Sequence, residues 1–126
     1  MTRTNGGAVR WLIGLVGLGS LLNAGWMLLF PQQWYAYVPA DVPDYGPYNA
    51  HLVKDLGSAF LAIGLMLVWA WRDARLRLVF TLMPCIFYGV HALIHVHDTG
   101  FGLVEAHHWA VDLPLTYLPA ALLVGV

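Results

Sequence analysis

The sequence has 126 residues, of which 60% are hydrophobic and only 10% are charged. A soluble domain usually carries about 25% charged residues, so this composition excludes an ordinary soluble domain. The formal net charge of −1 says nothing about nucleic acid, but no basic stripe runs through the sequence, so we expect no nucleic-acid partner. The lipid bilayer is the partner that the composition indicates.

Four apolar blocks predict four transmembrane helices, at about residues 11–30, 51–71, 78–97 and 109–126. Each block is close to the roughly 20 residues that cross the hydrocarbon core of a bilayer. Short connections favour antiparallel neighbours. The predicted fold is therefore all-α, with residues 1–126 forming a single polytopic domain, a four-helix transmembrane bundle with up-down-up-down topology.

The basic residues predict the orientation of this bundle. All but one of them flank the same side of the membrane: Arg3, Arg10, Arg72, Arg75 and Arg77. Only Lys54 lies at the other side. The positive-inside rule then predicts a multi-pass protein of the bacterial inner membrane, with both termini in the cytoplasm and the connections 31–50 and 98–108 facing outward.

The connection over residues 31–50 is rich in proline and aromatic residues. Its prolines and glycine predict that the first helix does not continue through it. Its aromatic residues are typical of an interfacial belt, and the alternative is a lid over a site between the helix ends. Asn49 is a favoured N-cap for the second helix.

The six histidines all fall at the outward end of the predicted bundle. Three pairs share a spacing of four residues: His51 with Asp55, His91 with His95, and His108 with Asp112. Four residues along a helix give a rotation of about 40° and a rise of about 6 Å, so each pair projects from one face. The three faces lie at similar depth, and we expect them to converge on one site.

This pattern predicts a metal site whose candidate ligands are His51, His91, His95 and His108. Histidine and carboxylate ligands suit a divalent transition metal such as zinc or iron. Asp55 and Asp112 are candidates for further ligands, for acceptors of an N–H from a ligating histidine, or for a general base. The alternative cofactor is haem b, held by one or two axial histidines such as His51 and His91.

The remaining polar residues of the outward end are expected to be solvated rim groups: His97, Asp98, Glu105 and His107. His97 and His107 are rotated away from the faces that carry the pairs. The alternative is that these four groups bind a second metal or feed protons. One functional expectation is a membrane metal-binding protein that hydrolyses or oxidises a hydrophobic substrate. The alternative is a non-catalytic accessory subunit, or a protein that binds a small molecule or haem, within a larger membrane complex or a homo-oligomer.

Two stretches carry a family resemblance: PADVPDYGPYNAHLVKDLG at residues 39–57 and HALIHVHD at residues 91–98. Both resemble sequences from a group of small bacterial membrane proteins, which are similar in size and helix count to DoxX-like four-helix proteins. The resemblance implies a four-helix transmembrane bundle. It implies no activity and assigns no functional residues.

Overall fold

The computed structural model describes residues 5–125, and every regular element in that range is helical. Arg3, which contributes to the predicted orientation, and Val126, the predicted end of the fourth helix, lie outside the described residues. Three helices are long and apolar enough to cross a membrane, which indicates a membrane protein. They are α1 (Asn5–Leu29), α3 (Ala50–Arg72) and α4 (Arg77–Gly100). The first three predicted helices are therefore confirmed.

The connection between α1 and α3 contains two short helical elements. These are α2 (Pro31–Tyr37) and a 3-10 turn (Val42–Tyr45). Although α1 ends at Leu29, as the prolines predicted, Pro31 also begins a new helix, because the first helical position needs no N–H. The Asn49 side chain accepts a hydrogen bond from the backbone N–H of Leu52 at 3.1 Å, which confirms the predicted N-cap of α3.

The fourth apolar segment is a broken helix rather than the single helix predicted for residues 109–126. It comprises α5 (His108–Val111), a π-helical turn (Leu113–Tyr117) and α6 (Leu118–Val124). Pro114 and Pro119 cannot donate backbone hydrogen bonds, so the regular α pattern is interrupted around them. The carbonyl of Asp112 instead accepts from the N–H groups of both Thr116 (2.9 Å) and Tyr117 (3.2 Å).

Helices α1 and α3 pack closely through their glycines. A Cβ added to Gly17 would lie 2.9 Å from the Cβ of Leu67, and one added to Gly57 would lie 2.9 Å from the Cβ of Met27. Residue numbers thus rise along one helix as they fall along the other, so the two helices pair in opposite directions. Small residues allow this approach, which strengthens packing where lipid provides no hydrophobic driving force between helices.

Aromatic residues hold α4 against α3 and α1. The ring of Phe60 in α3 contacts those of Phe87 and Tyr88 in α4, with centroids 5.3 and 6.0 Å apart. The Tyr88 hydroxyl also hydrogen-bonds the Ser20 hydroxyl of α1 at 2.8 Å. Helix α6 contacts both α4 and α1, which completes the packing. The end of α4, the start of α5 and the 3-10 turn consequently meet at one end of the molecule.

Candidate functional site

A buried polar cluster lies where the 3-10 turn meets the ends of α4 and α5. Its centre is the hydroxyl of Tyr45, which donates a hydrogen bond to Oδ2 of Asp112 at 2.7 Å. The same hydroxyl lies 2.8 Å from Nδ1 of His95 and 3.1 Å from Nδ1 of His108. One side chain from the connection therefore bridges two histidines and a carboxylate that come from two different helical segments.

Asp112 is the acceptor at the base of this cluster, and its side chain is fully buried. Besides the Tyr45 hydroxyl, its Oδ2 accepts from Nδ1 of His95 at 2.7 Å, and that nitrogen must carry the proton because an ionised carboxylate only accepts. Its Oδ1 has no hydrogen-bond partner within the described residues. The π-helical turn begins directly after Asp112, and such turns are frequent at functional sites.

His108 contacts Tyr45 through one ring nitrogen and Asp44 through the other. Tyr45 has one hydroxyl proton, which goes to Asp112, so its oxygen accepts from Nδ1–H of His108. Nε2 of His108 lies 3.1 Å from Oδ2 of Asp44. Either a proton on Nε2 or a metal ion shared by the two atoms accounts for this approach.

Tyr45 is held as a neutral donor. Burial raises the pKa of its phenol well above the usual value, and the hydrogen bond to Asp112 raises it further. The phenol therefore keeps its proton at neutral pH and goes on donating it to the carboxylate.

His107 extends the cluster to the surface. Its Nε2 lies 3.8 Å from Oδ2 of Asp44 and 3.1 Å from Oδ2 of Asp41, and its Nδ1 lies 3.4 Å from Glu105. One ligand atom from each of Asp44, His107 and His108 lies within 4.8 Å of the others, a spacing that suits a shared metal ion. His107 and Asp44 are exposed, whereas His108 is fully buried, so the group has a buried side and an open side.

Asp41 precedes this group in a left-handed backbone conformation, with φ 44° and ψ 46°. Among the described residues it is the only non-glycine residue with positive φ. Aspartate tolerates this conformation better than most residues. The turn that it makes leads directly into the 3-10 turn that carries Asp44 and Tyr45 to the helix ends.

The structure brings together three of the residues that the sequence predicted for one site. His95, His108 and Asp112 share the Tyr45 hydroxyl, and the ring of His91 packs edge-on against that of His95, with centroids 4.6 Å apart. None of the hydrogen bonds among the described residues involves the His91 ring, which stacks on Phe87. Whether His91 and His95 bind metal stays a prediction.

His51 and Asp55 do not take part in this convergence. They contact each other at 3.3 Å, and their side chains are 87% and 63% exposed. The buried face of α3 includes Val53, Gly57 and Phe60, and at about 100° per residue His51 and Asp55 lie about 160–200° round from that face. The expectation that all three pairs point into one interior site is therefore wrong for this pair, although its i,i+4 contact forms.

Sequence reasoning missed Tyr45, Asp44 and His107 as members of the cluster. Tyr45 resembled an aromatic belt residue, and His107 was expected to be a solvated rim group. The lid interpretation of residues 31–50 was the pattern that pointed towards them, because a lid must place side chains between the helix ends. The other rim histidine, His97, contacts its neighbour Asp98 at 3.0 Å and is largely exposed.

Comparison of the chain with protein-family models, with curated proteins and with solved structures gave no match.

Proposed function

We propose that this chain is an inner-membrane protein that binds a divalent transition metal, zinc or iron, at the outward end of a four-helix, up-down-up-down bundle. The reversed pairing of α1 with α3 and the contacts of α6 with α4 and α1 support this topology. Arg10, Arg72, Arg75 and Arg77 lie at the opposite end from the histidines, which supports cytoplasmic termini.

The observation that carries metal binding is the approach of His108 Nε2 to the carboxylate of Asp44 at 3.1 Å. Two ligands about 2.0–2.1 Å from a tetrahedral zinc ion are about 3.3 Å apart, so this spacing suits a shared ion. His107 supplies a third ligand atom. Imidazole and carboxylate ligands suit zinc and iron.

Tyr45 and Asp112 hold His108 in place for this role. A metal-ligating histidine usually donates its other ring N–H to an acceptor, which fixes its tautomer and orientation. Here Nδ1–H of His108 donates to Tyr45, and Tyr45 donates to Asp112. We assign Asp112 to positioning His108 rather than to direct metal binding, in line with one of its predicted roles.

The open side of the cluster favours a reactive metal over a purely structural one. Structural zinc sites usually have four protein ligands, whereas sites with three leave a position for water or substrate. Asp44, His107 and His108 make three, and His107 and Asp44 face the exterior. Metal-activated water is the chemistry that such a site would supply.

The test is a metal titration of the purified protein after chelation of any bound metal, with zinc or iron(II) competed against a chromophoric chelator. We expect one equivalent to bind. His108→Ala should lower the affinity at least tenfold because it removes the central ligand. Asp44→Asn, at an exposed position, should lower the affinity as well. The matched control is His51→Ala, which removes an exposed histidine outside the cluster.

The proposal fails if His108→Ala and Asp44→Asn retain the affinity of the parent protein, or if His51→Ala abolishes binding. A Soret band in the purified protein would favour the haem alternative instead. The proposal also fails if no metal binds while the fold is intact.

A further inference from the structure

A cavity of about 230 Å³ lies inside the bundle, beside the polar cluster. Its walls are mainly apolar, with Phe60 of α3 on one side and Leu115 of the fourth segment on another. An empty apolar cavity of about 150 Å³ is large enough for benzene. This cavity therefore has room for one six-membered ring with a small substituent.

Two polar side chains of the cavity wall have unused hydrogen-bonding capacity. His91 makes only aromatic contacts, with Phe87 and His95, so both of its ring nitrogens are free among the described residues. Asn23 accepts from the Trp34 indole at 2.7 Å, but its amide nitrogen contacts only the sulfur of Met27, at 3.5 Å. A ligand oxygen between these groups would receive hydrogen bonds that the protein does not otherwise make.

The same histidine also faces the outside of the bundle. An apolar groove runs along α4 beside Leu56 of α3, and its exposed side chains include Met83, Ile86 and Ile94. His91 and Leu56 line both this groove and the interior cavity. In a helix that crosses a membrane, such a groove faces acyl chains. The two residues therefore stand between the lipid and the cavity.

We propose that this cavity binds a membrane-dissolved ligand with a single-ring head that bears a hydroxyl or carbonyl oxygen and with an alkyl tail. The ring enters from the bilayer between Leu56 and His91, the tail stays in the groove, and the oxygen hydrogen-bonds His91. The pocket is lined by Tyr45 and His95 of the polar cluster but not by Asp44, His107 or His108, so a ligand there does not need a bound metal.

The test uses a photoreactive probe, 4-hexylphenol with a diazirine in its chain, on chelator-treated protein in lipid nanodiscs. Peptide mapping by mass spectrometry should place saturable labelling on α3 near Leu56 and on α4 near His91. Excess 4-hexylphenol should compete, whereas hexylbenzene, which lacks the oxygen, should compete about tenfold more weakly.

The diagnostic variant is His91→Phe, which keeps an aromatic ring against Phe87 but removes the hydrogen-bonding nitrogens. We expect its half-saturation concentration to rise about tenfold. His97→Phe is the matched control, because His97 is an exposed histidine on the same helix outside the cavity. Thermal melting of both variants verifies that the bundle is intact.

Non-saturable labelling, equal competition by hexylbenzene, or an unchanged His91→Phe variant would each overturn the proposal. Because the protein is metal-free in this assay, its outcome is independent of the metal titration. Phenol binding without metal binding would support the pocket and reject the metal site, and the reverse result would do the opposite.

Discussion

Tyr45 joins the connection between α1 and α3 to the two helical segments that meet at the polar cluster. Its hydroxyl donates to Asp112 and lies within 3.1 Å of His95 and His108. Tyr45→Phe keeps the ring but removes this bridge, and it leaves a fully buried carboxylate with one donor fewer. An unmet hydrogen bond of this kind costs about 1–3 kcal/mol.

We therefore expect Tyr45→Phe to lower the free energy of unfolding by that amount, measured by denaturant titration in mixed micelles. Tyr37→Phe is the control, because Tyr37 is 75% exposed and its hydroxyl makes no hydrogen bond among the described residues. Equal stability of the two variants would show that the Tyr45 hydroxyl does not hold the cluster together.

At the scale of single residues, the sequence predicted which side chains contact each other within a helix better than it predicted which of them point into the bundle. The spacing of four residues correctly placed His51 beside Asp55 and His108 near Asp112. It carried no information on which helix face points inward. That depends on the packing stripe, which in α3 follows Val53, Gly57 and Phe60. The lid interpretation of residues 31–50 did not single out Tyr45, because the position of that residue depends on how a non-repetitive connection folds back over the helix ends.

At the scale of elements, most of what the sequence says about the helices and their packing lies in the apolar blocks and in the small residues of α1 and α3. Block length and hydropathy predicted four transmembrane helices, because each must satisfy its backbone within itself, and three of them are long enough to cross a membrane. The fourth block was predicted less well. Pro114 and Pro119 were visible in the sequence, but a proline alone does not say whether a helix kinks, ends or forms a π-helical turn.

The glycine contacts between α1 and α3 give a prediction at this scale. A Cβ at Gly17 would lie 2.9 Å from Leu67 Cβ and 3.2 Å from the backbone nitrogen of Val68, so Gly17→Ala must push the helices apart. Overpacking of this kind costs about 1–3 kcal/mol. The expected result is a correspondingly lower free energy of unfolding in mixed micelles.

Gly19 is the matched control on the same helix, because an added Cβ there meets nothing within 4 Å. Gly19→Ala should be neutral or stabilising by up to about 1 kcal/mol, since alanine is the better helix former. If Gly17→Ala were as stable as Gly19→Ala, the close packing of α1 against α3 would be wrong.

At the scale of the whole molecule, charge separates the two ends. Arg72, Arg75 and Arg77 surround the turn between α3 and α4, whereas the carboxylates and histidines of the polar cluster lie at the opposite end. The Arg75 guanidinium donates a hydrogen bond to the Asp73 carboxylate at 3.0 Å and holds the pKa of that carboxyl below its usual value. The turn therefore carries fixed charge, which resists transfer across a bilayer.

This asymmetry predicts which surface an impermeant thiol reagent can reach. In a Cys85→Ser background, cysteine is introduced at Ala36, an exposed position of α2, or at Ala74, an exposed position of the arginine-rich turn. The positive-inside rule predicts that intact spheroplasts label Ala36→Cys and leave Ala74→Cys unlabelled until the membrane is opened. Each variant serves as the control for the other, because both positions are exposed in the folded chain.

The reversed pattern would place the polar cluster in the cytoplasm. Labelling of both positions from outside would mean that α3 does not cross the membrane, and the bundle topology would have to be abandoned.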